Sequence, residues 1–184
     1  LATLSTDLHA ELSKLEKSIY KHAGVEFNIN SPKQLGDIIF DGLGLKIKNA
    51  KKTAGGQRST KESELEKLKG EHPIIDDILR YRELQKLVST YIDTLPTLVK
   101  EDGKIHTTFL QSGTVTGRMG SKDPNIQNIP VKSEEGLAIR KAFVASPGFT
   151  LVAIDYSQIE LRIAAILAED KNLIDIFKRG EDVH

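Results

Sequence analysis

The longest regular pattern in the sequence is HPIIDDILRYRELQKLVSTYIDTL, which spans residues 72–95. Apolar residues recur in it at intervals of three and four, which places one apolar stripe along a helix. The residues of this stripe are Ile74, Ile78, Tyr81, Leu84, Val88, Tyr91 and Leu95. Because Pro73 suits the first turn of a helix, the pattern predicts a rod of about twenty residues, roughly 30 Å long, with one face on a core.

Three shorter patterns before this rod are also typical of helices. The first covers residues 4–22 and ends at Gly24, the second runs to about Asp41, and the third is short. They rest on an apolar stripe at Leu8, Leu12, Leu15 and Ile19 and on two capping boxes, Ser31 with Gln34 and Ser59 with Glu62. Residues 44–57 have no such period and are predicted to form an exposed basic loop or a loose hairpin.

The residues after Pro96 are of the types that favour turns and strands. Asp102 and Gly103 form a hairpin turn signal. The β-branched residues that follow favour strands at 105–110 and 114–116. This change from helical to strand patterns places a domain boundary near residue 100.

The last part of the chain combines one apolar run with two helical patterns. The run at residues 151–154 is typical of a buried central strand. Helices are predicted over residues 157–168 and 170–179. Together with the helical first half, these patterns predict an α+β fold.

Composition excludes several classes of function. The 184 residues contain no cysteine, which excludes disulfides, thiolate metal sites and cysteine nucleophiles. No apolar run is long enough to span a membrane. We therefore predict a cytoplasmic protein without a membrane partner.

Charge is balanced overall but unevenly placed along the chain. The sequence has 26 basic and 26 acidic residues. Residues 155–184 contain more acids than bases, whereas residues 46–61 contain only basic charges, at Lys46, Lys48, Lys51, Lys52, Arg58 and Lys61. The basic segment suits contact with phosphates, and the acidic segment suits a metal ion.

The strongest local feature is DYSQIELR at residues 155–162, where the predicted central strand meets a helix. A carboxylate fixed at the end of a strand, here Asp155, is suited to bind Mg²⁺ together with substrate phosphates, as in phosphoryl transfer. A structural interpretation is equally simple, because Asp155 could merely end the strand while Ser157 and Glu160 form a capping box. The local pattern leaves both interpretations open.

A second feature is the loop TGRMGSKDPNIQNIP at residues 116–130, which is rich in Arg, Asn and Gln. Their forked donors can reach the minor-groove acceptors that every Watson–Crick pair presents in similar places. Such a loop would test base-pair geometry without reading sequence, as a copying enzyme requires. Alternatively, its amides bond to their own backbone in a solvated loop.

These two segments resemble the TGR…DPN-Q-NIP and DYSQIELR motifs of the family A DNA polymerases, the bacterial DNA polymerase I type. The likeness extends over nearly the whole chain, through FNINS at 27–31, RST at 58–60, HPI at 72–74, YREL at 81–84 and STYI at 89–92. It implies an α+β fold in which a helical thumb, residues 1–100 with a palm-proximal N-terminal helix, packs beside a partial antiparallel palm sheet. Residues 101–184 are then the partial palm, which ends in the first helices toward the fingers.

The resemblance implies a DNA-directed DNA polymerase that binds primer-template DNA and adds deoxynucleotides from deoxynucleoside triphosphates, in DNA replication and repair. Asp155 matches the catalytic residue that binds two Mg²⁺ ions, with help from the backbone carbonyl of Tyr156. Gln158 and His184 match positions that reach the incoming triphosphate. Glu160 resembles the steric gate that crowds a ribose 2′-hydroxyl, and this role is compatible with capping.

The resemblance also implies a set of residues that contact DNA. They are Arg58, Ser59, Thr60, Arg82 and Lys86 on the thumb and Arg118, Asn125, Gln127, Asn128 and Lys132 in the second half. Lys132 stands where many relatives have Arg, and lysine lacks the planar fork of arginine. The lysines of residues 46–52 are predicted either to add outer electrostatic support or to belong to a solvated loop.

The family pattern continues past the position of His184. It places the fingers helix and a second metal-binding Asp there, so we expect the second carboxylate ligand of the two Mg²⁺ ions to be missing from this chain. We therefore predict that the chain needs the remainder of the polymerase as its partner and does not extend a primer alone. Two alternatives stay open, a non-catalytic duplex-DNA-binding module and a helical interaction protein without a nucleic-acid role.

Overall fold

A computed structural model describes residues 1–47, 56 and 58–181. The chain divides into two compact units, one of Leu1–Phe143 and one that begins at Val144. The fold is α+β, as predicted, because its helices accompany a two-stranded antiparallel sheet. The division near residue 100 into thumb and palm stays a prediction.

Two long helices form the centre of the first unit. Helix α1 spans Ala2–Ala23 and packs against α4, which spans Pro73–Leu87 and continues as a wide turn over Val88–Ile92. All seven residues of the stripe predicted for the rod are buried. The predicted rod is therefore confirmed, and its apolar face lies in the core.

The start of α4 has a side-chain cap. The Nδ1 atom of His72 accepts a hydrogen bond from the backbone N–H of Ile74 at 3.2 Å, and Pro73 occupies the first turn. A cap of this kind satisfies one of the N–H groups that lack a partner at a helix start. The short helix Leu95–Leu98 follows the wide turn.

The predicted capping boxes are only partly right. Helix α2 spans Pro32–Gly36 and continues as a wide turn over Asp37–Gly42. Ser31 Oγ accepts from Gln34 N at 3.4 Å, as expected, but the Gln34 side chain accepts from Asn28 N at 2.8 Å instead of closing the box. The second box is wrong, because the hydroxyl of Ser59 accepts from the nearer N–H of Lys61 and α3 begins later, as Glu62–Leu65.

The sheet pairs different segments from those predicted. Strand β1, Thr108–Leu110, pairs with β2, Gly120–Lys122, so that Phe109 lies opposite Ser121. The second strand predicted at 114–116 is wrong. The buried Ser121 explains the choice, because its hydroxyl donates to Asn125 Oδ1 at 3.1 Å and accepts from Ile126 N at 3.2 Å, which holds β2 in place.

The turn predicted at Asp102 and Gly103 is confirmed. Gly103 N donates to the carbonyl of Lys100 at 2.9 Å, and the φ angle of Gly103 is 72°. Glycine suits this position because it adopts positive φ without a steric penalty. Helix α5, Glu134–Arg140, ends the ordered helices of the first unit and is capped by Ser133.

The second unit contains helices α6, Ile159–Leu167, and α7, Lys171–Arg179. Asp170 accepts from the N–H groups of Asn172 and Leu173, which confirms the predicted start of α7. Ser157 does not cap α6, as one of the two interpretations left open by the sequence required, because the residue before α6 is Gln158, in a left-handed conformation with φ of 52°.

The central strand predicted at residues 151–154 is also wrong. This run is extended but is not part of a sheet, and Leu151, Val152 and Ile154 are 67%, 77% and 90% exposed. A strand needs the backbone of a neighbour to satisfy its N–H and C=O groups. In the described part of the chain, the only ladder is β1 with β2, so the run has no partner there.

Across residues 1–47, 56 and 58–181, no helix has both the length and the apolar character needed to cross a membrane.

Candidate nucleic-acid interface

A groove of about 820 Å³ lies on the first unit between α4 and the segment that precedes α5. Four of the predicted DNA-contacting residues line it, Arg82 and Lys86 from α4 and Asn128 and Lys132 from the segment. These two pairs are far apart in the sequence. The fold therefore brings together side chains that motif reasoning had assigned to DNA separately.

The walls of this groove carry charges of both signs. Lys69 and Arg80 add to the basic side, whereas acidic residues also line it, at Glu62, Glu66, Asp76 and Glu83. The acids limit how much phosphate the groove attracts, because like charges repel the DNA backbone. Attraction of a phosphate by this groove therefore depends on where its cations lie and not on its net charge alone.

Arg82 is held in place by the backbone of the segment before α3. Its Nη1 donates to the carbonyl oxygen of Thr60. Burial lowers the pKa of the Arg82 guanidinium, although an arginine in a protein stays protonated at neutral pH. The groove therefore has a fixed positive charge on its helical wall.

The segment that carries Asn128 and Lys132 is clamped by α5. Arg140 donates from Nε to the carbonyl of Pro130 at 3.0 Å and from Nη2 to the carbonyl of Ile129 at 2.8 Å. Gly136 also lies directly against Pro130. These contacts fix the backbone between Asn128 and Lys132, and nothing in the motif had indicated them.

The loop predicted to contact the minor groove bonds largely to itself. Asn125 Oδ1 accepts from Ser121 Oγ and from Gln127 N, both at 3.1 Å, and Gln127 Nε2 donates to the carbonyl of Met119 at 3.2 Å. The side chains of Arg118, Asn125 and Gln127 are exposed and do not line the groove. The self-bonded loop left open by the sequence is therefore observed in this structure.

The predicted thumb contacts before α3 differ in exposure. Arg58 is exposed, pairs with Asp41 and lies over the ring of Phe40 at 4.7 Å. Ser59 and Thr60 are buried, each 5% exposed, so only Arg58 presents its side chain. Lys48, Lys51 and Lys52 of the basic segment lie outside the described residues, as does His184.

Asp155 lies in the extended segment before α6, and its side chain is exposed. Tyr156 beside it is 77% exposed, and Glu160 is exposed in the first turn of α6. Gln158 is half-buried. A carboxylate in this setting is open to ligands, and it is not enclosed in apolar packing.

Arg162 holds this segment through two contacts. Its Nε donates to the carbonyl of Ser157 at 2.9 Å, and its guanidinium lies over the ring of Phe177 in α7 at 4.6 Å. The arginine of the motif therefore orients the backbone next to Asp155. Sequence reasoning quoted this residue but assigned it no role, because its two partners become adjacent only when α6 and α7 fold.

The donors near Asp155 match Mg²⁺ in kind. The Asp155 carboxylate and the Tyr156 carbonyl are hard oxygen donors, and Mg²⁺ is commonly bound by one or two carboxylates together with substrate phosphates. Among the residues that the structure describes, no group of three His, Cys, Asp or Glu side chains could hold a metal ion. Asp155 therefore offers one carboxylate for such an ion.

Comparisons with known proteins extend the likeness seen in the motifs. The family model described as DNA polymerase family A matches residues 1–184. The chain therefore belongs to DNA polymerase family A, which confirms the family predicted from its motifs.

Three curated relatives show how close this likeness is. The chain is 52% identical to the thermostable DNA polymerase I of Thermus thermophilus, 52% to DNA polymerase I of Geobacillus stearothermophilus and 50% to that of Deinococcus radiodurans. Each match covers 100% of this chain but only 22%, 21% and 19% of the relative. The chain thus spans less than a quarter of the length of these relatives.

A solved structure matches the fold as well. The POL domain of Pol1 from M. smegmatis, in complex with DNA primer-template and dNTP, is 39% identical, with a TM-score of 0.88. The match covers 100% of this chain and 32% of that structure.

Proposed function

We propose that this chain is the part of a DNA-directed DNA polymerase that holds primer-template duplex and presents one metal-binding carboxylate for primer extension. The observation that carries this proposal is the groove, where Arg82 and Lys86 meet Asn128 and Lys132. The likeness to a domain whose structure is a complex with DNA primer-template and dNTP supports it. Residues 1–100 are then the thumb, and residues 101–184 are part of the palm with the first helices toward the fingers.

In this proposal the groove holds the sugar-phosphate backbone. Arg82, Lys86 and Lys132 supply positive charge to phosphates, and such contacts position the duplex without reading its sequence. Asn128 adds an amide that can donate to a minor-groove acceptor. Arg58 extends the basic surface, with Ser59 and Thr60 acting through the backbone that supports Arg82.

The loop of Arg118, Asn125 and Gln127 is proposed to test the base pairs just made. The two bonds described for the Asn125 side chain use only Oδ1, which leaves its NH₂ group for a purine N3 or pyrimidine O2. The bond from Gln127 to Met119 uses one of its two amide hydrogens. Local bonding of this loop is therefore compatible with duplex contact.

Asp155 is proposed to act at the site of chemistry. Mg²⁺ ions bound there would supply activation of the primer 3′-hydroxyl and stabilisation of the leaving pyrophosphate. Asp155 and the Tyr156 carbonyl bind them, Gln158 and His184 contact the triphosphate, and Glu160 crowds the position of a 2′-hydroxyl. Arg162 keeps the Ser157 backbone in place. The proposed activity serves DNA replication or repair in the cytoplasm.

The test separates grip from chemistry. The 184-residue chain should bind primer-template DNA with an affinity that falls steeply with salt, and it should not extend the primer. In the complete polymerase, Asp155→Asn should abolish extension and leave duplex binding unchanged. Salt-insensitive or absent binding would favour the helical interaction protein. If the Asp155→Asn variant still extends the primer, Asp155 is not the catalytic residue. If the complete protein binds duplex but does not extend the primer, the non-catalytic module is favoured.

A further inference from the structure

Arg80 joins three helices of the first unit. From α4, it donates to Glu11 of α1 at 2.9 Å, to Glu83 of its own helix at 3.1 Å and to Glu135 of α5 at 2.5 Å. The Glu135 side chain is only 15% exposed. A planar guanidinium can serve three carboxylates in this way because its donors form a rigid fork.

The bond to Glu135 reaches the second wall of the groove. Glu135 precedes Gly136, which packs on Pro130, and the same helix carries Arg140, which holds the carbonyls of Ile129 and Pro130. An unbroken series of contacts therefore leads from α4 through α5 to the backbone between Asn128 and Lys132. Arg80 stands at its start, on the helix that also carries Arg82 and Lys86.

We propose that the Arg80–Glu135 ion pair sets the spacing between the two walls of the groove, which makes Arg80 a positioning residue for duplex binding. This inference rests on the proposed function, because it assumes that the groove holds DNA. The pair acts through α5, whereas Arg82, Lys86 and Lys132 contact the duplex. Loss of the pair frees α5 from α4 and misplaces Asn128 and Lys132.

A direct role for Arg80 makes a different prediction. Arg80 lines the groove, so it could itself contact a phosphate. In that case, removing its partner Glu135 frees a cation and deletes a negative charge, and duplex binding becomes tighter. If Arg80 positions the wall instead, removing Glu135 makes binding weaker although the protein becomes more positive. The two roles therefore differ in the sign of one measurement.

The experiment measures the dissociation constant of the 184-residue chain for primer-template DNA across a salt series. Glu135→Gln should raise it by about threefold to tenfold and lower the salt slope, because a misplaced Lys132 neutralises fewer phosphates. It should add nothing in an Arg80→Ala background. Glu83→Gln is the matched control, because it removes another carboxylate on Arg80 but leaves α5 attached; it should not weaken binding. If Glu135→Gln fails to fold, Arg80→Lys replaces it, since lysine keeps the charge but loses the fork.

A second readout follows the walls themselves. The chain contains no cysteine, so spin labels can be placed at Asp76→Cys on α4 and at the exposed Leu137→Cys on α5. Their distance distribution should broaden with Glu135→Gln and stay unchanged with Glu83→Gln. An unchanged distribution, or tighter duplex binding by Glu135→Gln, would overturn the inference. A third outcome is that the unaltered chain binds no duplex while Glu135→Gln still broadens the distance distribution. The proposed function would then be wrong, but the role of the Arg80–Glu135 pair in holding α5 against α4 would stand.

Discussion

At the scale of single residues, Gly136 shows how one missing methyl group supports the groove. A Cβ atom at this position would lie 2.7 Å from the Cβ of Pro130 and 2.7 Å from its carbonyl oxygen. Pro130 cannot easily retreat, because Arg140 also holds its carbonyl. The close approach of α5 to the groove-lining segment therefore requires glycine.

We predict that Gly136→Ala lowers the free energy of unfolding by about 1–3 kcal/mol, the usual cost of overpacking, as measured by urea unfolding. Gly36→Ala is the matched control. Its Cβ would meet Thr60 and Phe40 at ordinary contact distances of 3.7 and 3.9 Å, and alanine favours a helix by up to ~1 kcal/mol over glycine. Equal stability of the two variants would show that Pro130 yields more easily than its contacts indicate.

At the scale of elements, α5 is the helix that most depends on its surroundings. It spans only Glu134–Arg140, which is too short to be stable by itself. Its buried Ile139 and the ion pair of Glu135 with Arg80 attach it to the first unit. Burial is the largest single effect and raises the pKa of Glu135, but the hydrogen bonds from Arg80, the backbone and Ser133, together with the charge of Arg80, outweigh it, and the net result is a pKa below the ordinary value.

This lowered pKa predicts an acid-sensitive contribution to stability. The pair contributes fully above the unfolded pKa of about 4.3, and the contribution is lost as pH falls through the lower folded pKa. We therefore expect the difference in unfolding free energy between the unaltered chain and Glu135→Gln to shrink from about pH 5 to about pH 3, measured by urea unfolding at each pH. Glu134→Gln removes an exposed carboxylate of α5 and keeps the pair, so it is the control; a constant difference for Glu135→Gln would contradict the expectation.

At the scale of the whole molecule, the second unit exposes apolar side chains that folded proteins usually cover. They include Leu151, Val152, Ile154, Leu161, Ile163, Ile166 and Leu167. An exposed extended run next to apolar helix positions is typical of a surface that another segment covers. Under the proposed function, that segment belongs to the remainder of the polymerase.

We predict that backbone amides of residues 151–154 exchange with solvent rapidly in the 184-residue chain and slowly in the complete polymerase. The reason is that a neighbouring strand there would pair with their N–H groups. Hydrogen–deuterium exchange measures this directly, with β1, Thr108–Leu110, as an internal reference that is paired in both. Rapid exchange of 151–154 in both proteins would contradict the expected pairing.

Whether a feature of the predicted site could be inferred from the sequence depends on how many residues separate the two partners of each contact. Exposure of Asp155 was compatible with its motif, but the motif could not show that the run before it stays unpaired. Asn125 and Gln127 were assigned to DNA by resemblance, and their bonds within the loop depend on how β2 places Ser121. The ion pair of Arg80 with Glu135 had no signal at all, because its two residues are 55 positions apart in the sequence.

The sequence by itself determined α1 and α4, their buried stripes, the turn at Gly103 and the family of the chain. These features could be predicted because helix and turn hydrogen bonds join residues a few positions apart, and the apolar period reports which face is buried. Only the tertiary structure decided that β1 pairs with Gly120–Lys122, that Arg82 and Lys132 share a groove and that Arg80 reaches α5. Those features depend on contacts between distant residues, and the choice among possible partners is made by the packing of the whole unit.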